Sequence, residues 1–331
     1  MARRAPPDAR PRPLFAVLCN PRSGEIRKRL KVTRAAGRHL AGPLYREASR
    51  SAEIRRELLA LTADPRRPLC ILGGDGTVQA VLTALLEEEG DPRRWPPLAV
   101  LPGGSTNMIA RDLGFSGSLE DELESLRLWS RADPVGGGLV RRPVLRLERR
   151  EGETLCGTFF GAGAVATGVR YWSERLKGRG PGRVHTAPLA IARILLSLTV
   201  GRAPAELVPS LEYAVDGEPV RFREALLCLV TTLDRLILGT RPHWGEGPGS
   251  LRFTLVERDP GRLWLNLPRL ARGRPGKALT PERGYHSRKA TRLRMSFTGH
   301  FVLDGELFHH DATDGPLRIT ALEGARWLVP E

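Results

Sequence analysis

Two short stretches combine glycine with side chains that carry oxygen or amide groups. Gly73-Gly74-Asp75-Gly76-Thr77 follows the apolar run Leu69–Leu72, and Pro102-Gly103-Gly104-Ser105-Thr106-Asn107 follows the apolar run Leu98–Leu101. An apolar run of four bounded by Gly or Pro reads as a buried parallel strand, and helical spacing follows each turn. Ligands of open α/β sheets sit beyond the carboxyl ends of the strands, where a helix N-terminus offers unpaired N–H groups to an anion. Glycine lets the backbone approach phosphate closely, while Asp75, Thr77, Ser105, Thr106 and Asn107 supply the side-chain groups that phosphate or its metal needs. A tight connection without a ligand explains one such turn equally well; two in succession favour phosphate. The spacing lacks the Lys of a P-loop, which sets that nucleotide site aside. A third turn, Asn20-Pro21-Arg22-Ser23-Gly24, places Ser23 and Gly24 at the start of the next helix.

Phosphoryl transfer also needs a metal to neutralise charge and often a carboxylate to accept the hydroxyl proton. Asp75, read as an exposed loop residue, suits Mg²⁺ directly or through water. Asp304-Gly305-Glu306 is a second acidic candidate, yet Asp-Gly between strand-like runs is equally a hairpin turn. The same tripeptide recurs at Asp216-Gly217-Glu218, so the tripeptide alone decides nothing.

The order and spacing of the stretches at 20–24, 73–77 and 102–107 resemble the catalytic domain shared by diacylglycerol kinases, sphingosine kinases and bacterial lipid kinases. The resemblance implies ATP-dependent phosphorylation of a lipid hydroxyl in an interdomain cleft. The implied fold is NAD kinase/diacylglycerol kinase-like: a doubly wound α/β nucleotide domain followed by a β-sandwich domain. ATP would be held by Asn20, Ser23, Gly24, Gly73, Gly74, Asp75, Gly76, Thr77, Gly103, Gly104, Ser105, Thr106 and Asn107, with Mg²⁺ organised by Asp75. Glu306 would be the catalytic base and Asp304 its support. The later tripeptide is preferred because its distance from the chain end and the strand before it match the family, whereas the earlier one runs straight into Pro219. The region Arg46-Glu47-Ala48-Ser49 lacks the threonine that the family often offers to the nucleotide. A NAD kinase-like enzyme shares the stretch at 73–77, but no Asn-Glu pair of the kind those enzymes use on their substrate is found. A non-catalytic nucleotide-binding regulator or a nucleic-acid binder is the third reading; dispersed basic residues without aromatic interleaving count against nucleic acid.

A chain of 331 residues can hold two domains, and 41% hydrophobic with 27% charged residues describes a globular protein. The net charge of +15 suits nucleic acid, anionic lipid headgroups or polyphosphates, and five of the 52 basic residues are lysines. Cys19, Cys70, Cys156 and Cys228 lie far apart and read as buried free thiols of a reducing cytosol. Residues 1–13, rich in Arg and Pro, read as a disordered tail, and no apolar run reaches the roughly 18 residues of a membrane span. The expectation is a cytoplasmic protein that meets its lipid peripherally at a membrane surface; oligomeric state is not indicated.

The elements that must position these residues follow from the pattern. Residues 14–135 alternate strands and helices, as in a parallel doubly wound domain. Ile26, Leu30 and Leu40 face inward on a basic helix whose cations, Arg27 to Arg38, offer a first membrane-facing candidate; Arg175, Lys177, Arg179 and Arg183 offer a second. Val78, Val81, Leu82, Leu85 and Leu86 form an apolar helical stripe after the 73–77 turn. Ser118 with Asp121 opens a further helix. Arg131–Pro143 reads as a linker. Residues 144–310 contain short alternating runs, including Leu251–Glu257, Leu263–Leu267 and Phe301–Leu303, as in a β-sandwich. Thr186–Val200 reads as an apolar helix within them, and Phe159–Ala164 as a strand ending in a turn. Residues 316–331 are expected to return to the first domain.

Overall fold

A computed structural model describes residues 15–129, 138–149, 152–176 and 210–330. The expected tail at 1–13, most of the linker and the apolar helix at 186–200 lie outside the described residues. The first part runs β1 (Ala16–Cys19), α1 (Gly24–Lys28), α2 (Leu30–Ala41), β2 (Tyr45–Glu47), α3 (Ser51–Leu61), β3 (Leu69–Gly73), α4 (Asp75–Glu89), β4 (Leu98–Pro102), α5 (Met108–Asp112) and α6 (Leu119–Trp129). Its strands are parallel in the order β2-β1-β3-β4, with Ala16 level with Leu69 and Leu69 level with Leu98. Every residue of β1, β3 and β4 is buried, as expected of strands covered on both faces. All five residues of the apolar stripe on α4 are buried too. Each such side chain contributes about 1.5–3 kcal/mol, enough to fix the helix whose first turn forms part of the cleft.

The second part is β-rich: β5 (Gly138–Glu148), β6 (Thr154–Gly157), β7 (Phe159–Gly163), α7 (Ala164–Leu176), β8 (Ser210–Val215), β9 (Arg221–Thr231), β10 (Leu251–Glu257), α8 (Leu263–Arg272), β11 (Tyr285–Ala290), β12 (Arg292–Ser296), β13 (Gly299–Leu303), β14 (Glu306–His310) and β15 (Leu317–Val329). One antiparallel group contains β8, β12, β15, β5 and β6, and another contains β14, β13, β7, β9, β10 and β11. β9 joins them by pairing with β8 through its first residues and with β7 and β10 through the rest. Inward residues of both groups, among them Leu147, Tyr213, Phe253, Met295, Phe301 and Ile319, make one core. β15 runs between β12 and β5, and Trp327 then pairs in parallel with Leu98 of β4.

Three expectations change. Leu263–Leu267 is helical, because the buried positions of α8 include Asn266 and Leu270 at helical spacing rather than every second leucine. The segment read as linker up to Pro143 is already strand from Gly138, paired along β15. Phe159–Gly163 is a strand that leads directly into α7.

Two contacts fix the β-rich part against the cradle-bearing helices. Thr83 of α4 donates to Cys156 O at 3.2 Å and accepts from Cys156 N at 2.9 Å. Asp112, at the end of α5, accepts from Arg142 of β5 and from the backbone N–H groups of Asp234 and Arg235. Asp112→Ala would leave those donors unsatisfied and should destabilise the protein by roughly 2 kcal/mol, read as a lower urea midpoint. An unchanged midpoint would show that this clamp does not hold the two parts.

Candidate functional site

Three turns meet at the carboxyl ends of β1, β3 and β4. Asn20 N donates to Leu72 O at 2.8 Å, and the Asn20 side chain donates to Thr77 Oγ1 at 2.8 Å. Ser23 Oγ accepts from Gly74 N at 3.3 Å, and Glu25 N donates to Gly103 O at 3.1 Å. The turns at 73–77 and 102–107 touch backbone to backbone: a methyl group built on Gly104 would lie 2.5 Å from Gly74 Cα. Asp75 is the first residue of α4, and its two carboxylate oxygens accept from Met108 N at 3.1 Å and Ile109 N at 3.0 Å. It therefore caps α5 and is not an exposed loop residue. Burial raises its pKa, opposed by those amide donors.

A cleft of about 370 Å³ opens over these turns. Asn20, Ser23, Gly24, Gly74, Asp75, Gly76, Thr77, Gly104, Ser105, Thr106, Asp304 and Glu306 all line it. Gly73, Gly103 and Asn107 do not. Gly73 packs against the Thr77 side chain and Gly103 against Ile26, while Asn107 exchanges two hydrogen bonds with Gly104 at 2.7 and 3.0 Å, holding the turn from within. Apolar side chains complete the wall: Phe159, Val165, Val169, Ile237 and Val302. Val165 and Val169 were not singled out from the sequence, because α7 begins directly after the glycine that ends β7. Arg22 also lines the cleft, although it sat unassigned inside the first turn.

The β13–β14 hairpin brings in the acids. Asp304 and Gly305 have φ of 46° and 91°, and Asp216 and Gly217 have φ of 51° and 87°, so both tripeptides make the same turn. Their surroundings differ. Asp216 accepts from Thr291 and Arg292, and Glu218 pairs with Arg221 and Arg288, and none of these residues lines the cleft. Asp304 is fully buried and accepts from Thr158 N, Thr158 Oγ1 and Phe159 N at 2.7, 2.7 and 2.9 Å. Glu306 is exposed at the cleft, and a methyl group on Gly76 would lie 2.1 Å from its Oε1. The bare backbone at 76 is the place where that carboxylate meets the first turn of α4.

The meeting of these turns has counterparts elsewhere. Residues 15–135 match the diacylglycerol kinase catalytic domain. The chain is also similar to a putative diacylglycerol kinase from Bacillus anthracis, at 19% identity and a TM-score of 0.59, covering 95% of this chain and 96% of that one. A second Bacillus anthracis diacylglycerol kinase structure is 17% identical with a TM-score of 0.56, covering 95% of each chain. These likenesses establish the fold, an α/β part followed by a β-rich part. No curated protein matches the chain.

The diacylglycerol kinase match makes the fit of nucleotide and metal a question for these residues. Glycines at 24, 74, 76 and 104 leave backbone bare around the N-terminus of α4, which suits phosphate oxygens. Among the described residues no three His, Cys, Asp or Glu side chains converge as a metal cage. Each Asp75 oxygen keeps a second lone pair, so Mg²⁺ fits there through water and beside phosphate oxygens, its usual mode.

Burial pushes the Asp304 carboxyl up to about 7, its Thr158 and Phe159 donors opposing and the Asp75 charge adding to the rise. The folded protein thus holds this proton more tightly than the unfolded chain, whose value is near 3.8. The associated stability is complete below the unfolded value and is lost as pH rises through 7. Carboxyl ¹³C NMR should show Asp304 titrating near 7, and Thr158→Val, which removes one donor to the anion, should move the midpoint higher. A midpoint near 3.8 that ignores the substitution would contradict the geometry.

Proposed function

We propose that the chain is an ATP-dependent kinase that phosphorylates a lipid hydroxyl in this cleft. The observation that carries the reading is the approach of the Glu306 carboxylate to Gly76, which sets a candidate base beside a phosphate-binding turn. Ser23, Thr106 and the backbone N–H groups at the start of α4 hold the nucleotide phosphates in line. Asp75 would hold Mg²⁺ through water, and the ion when bound would supply neutralisation of phosphate charge. The apolar wall of Phe159, Val165, Val169, Ile237 and Val302 takes the acyl part of the acceptor and excludes water.

Glu306 accepts the proton of the acceptor hydroxyl as its oxygen bonds to the γ-phosphorus. The bond from that phosphorus to the β–γ bridging oxygen breaks, releasing ADP, and the proton stays on Glu306 until solvent takes it and restores the carboxylate. Asp304 does not touch the acceptor. Pinned by Thr158 and Phe159, it fixes the turn on which Glu306 stands.

Incubating the protein with γ-labelled ATP, Mg²⁺ and a crude lipid extract should put label into a lipid phosphate. Glu306→Gln should lower kcat by roughly 10²-fold or more, and Glu218→Gln, in the look-alike turn, should leave it unchanged. Label appearing only in NAD, or the two variants behaving in reverse, would overturn the assignment.

A further inference from the structure

From Arg262 to Lys277 the chain has five cations, Arg262, Arg269, Arg272, Arg274 and Lys277, and no carboxylate. This stretch contains α8. Its inner side seats Asn266 and Leu270 in the protein, with Asn266 donating to Gly261 O at 3.0 Å. Its outer side shows Trp264 at 38% and Leu265 at 66% exposure, beside exposed Pro268, Arg269 and Arg272.

Charge pairing is lighter here than on the other basic surface. Around α1 and α2, Lys28, Arg29 and Arg34 are matched by Glu25, Glu120 and Glu47, while Arg27, Lys31 and Arg38 form no ion pair among the described residues, so half of that first candidate's cations are matched. The second candidate, Arg175 to Arg183, lies outside the described side chains. On and after α8, none of the five cations forms an ion pair among the described residues. Arg269 and Arg272 reach only carbonyls of their own helix, those of Leu265 and Pro268. An exposed tryptophan and leucine within a ring of unmatched cations is the composition of a helix that lies in a bilayer interface: the apolar side chains enter the headgroup boundary and the cations meet anionic lipid. A protein partner would need an acidic face of its own to match these cations.

The helix is also tied to the cleft. Ile237 lines the cleft wall, Leu238 next to it is 71% exposed, and Arg241 N donates to Ala271 O of α8 at 2.7 Å. Among the described residues no helix is long and apolar enough to cross a membrane.

We infer that the outer face of α8 is the docking surface for an anionic phospholipid bilayer. The inference rests on the lipid-kinase reading for its purpose, but its measurement does not need phosphoryl transfer. It commits the protein to one order of events: α8 settles in the interface, and the adjoining Ile237–Arg241 segment brings the cleft wall to the lipid.

The test is cosedimentation of the full chain with phosphatidylcholine vesicles, with and without phosphatidylglycerol. Wild type should bind the anionic vesicles, release as added salt shortens the Debye length, and ignore neutral vesicles. Arg269→Glu with Arg272→Glu should weaken binding at least roughly tenfold. Trp264→Ala with Leu265→Ser should weaken it as well, and melting curves matching wild type would exclude misfolding. Both variants should still phosphorylate an acceptor dispersed in detergent. Anionic-vesicle binding unchanged in both variants would overturn the inference. So would a wild-type dimer by light scattering that the Trp264 and Leu265 substitutions dissolve, since a second copy would then cover the face. Vesicle binding as described without any lipid phosphorylation would leave α8 as the docking surface and remove the kinase reading instead.

Discussion

The contact between Gly74 and Gly104 is the constraint from which the cleft follows. Two strand-to-helix turns on neighbouring strands can meet backbone to backbone only if neither has a side chain at the point of approach, and a methyl at Gly104 would lie 2.5 Å from Gly74 Cα. Their meeting brings the starts of α4 and α5 together. It also puts Asp75 where its carboxylate can cap the second helix, and Gly74 N where Ser23 of the first turn can accept from it. Each helix start would otherwise leave amides unsatisfied. Here some are satisfied by neighbouring turns and the rest face the cleft.

The β-rich part contributes a hairpin whose value depends on where it is held. The structure contains its own control, since Asp216-Gly217-Glu218 and Asp304-Gly305-Glu306 share backbone conformation. The first is spent on surface ion pairs and a strand cap. The second is buried at Asp304 and open at Glu306, because Thr83 with Cys156 and Asp112 with Arg142 fix the second part at one distance from α4 and α5. The different settings of the two turns are thus a property of packing between the parts rather than of a tripeptide.

That explains what could be read from the chain. The three turns were legible because glycine beside hydroxyl and amide residues after an apolar run has few other physical explanations. The buried stripe on α4 was legible from its period. Leu263, Leu265 and Leu267 read as a strand because they alternate, yet Leu265 is exposed while Asn266, hydrogen-bonded to Gly261, is buried. The setting of Asp75, as an exposed loop residue, was misread for a related reason: its partners, the amides of Met108 and Ile109, are more than thirty residues away. Thr158 carried no signal at all, since a threonine between strands is ordinary until Asp304 is seen against it.

The most direct measurement of the central claim, that the paired glycine turns form one phosphate-binding cradle, is calorimetric titration of a non-hydrolysable ATP analogue with Mg²⁺ into wild type and Gly104→Ala. The account predicts saturable binding to wild type, and its loss in a variant that remains folded, because the added methyl forces the two turns apart. Equal affinity in both proteins would contradict it.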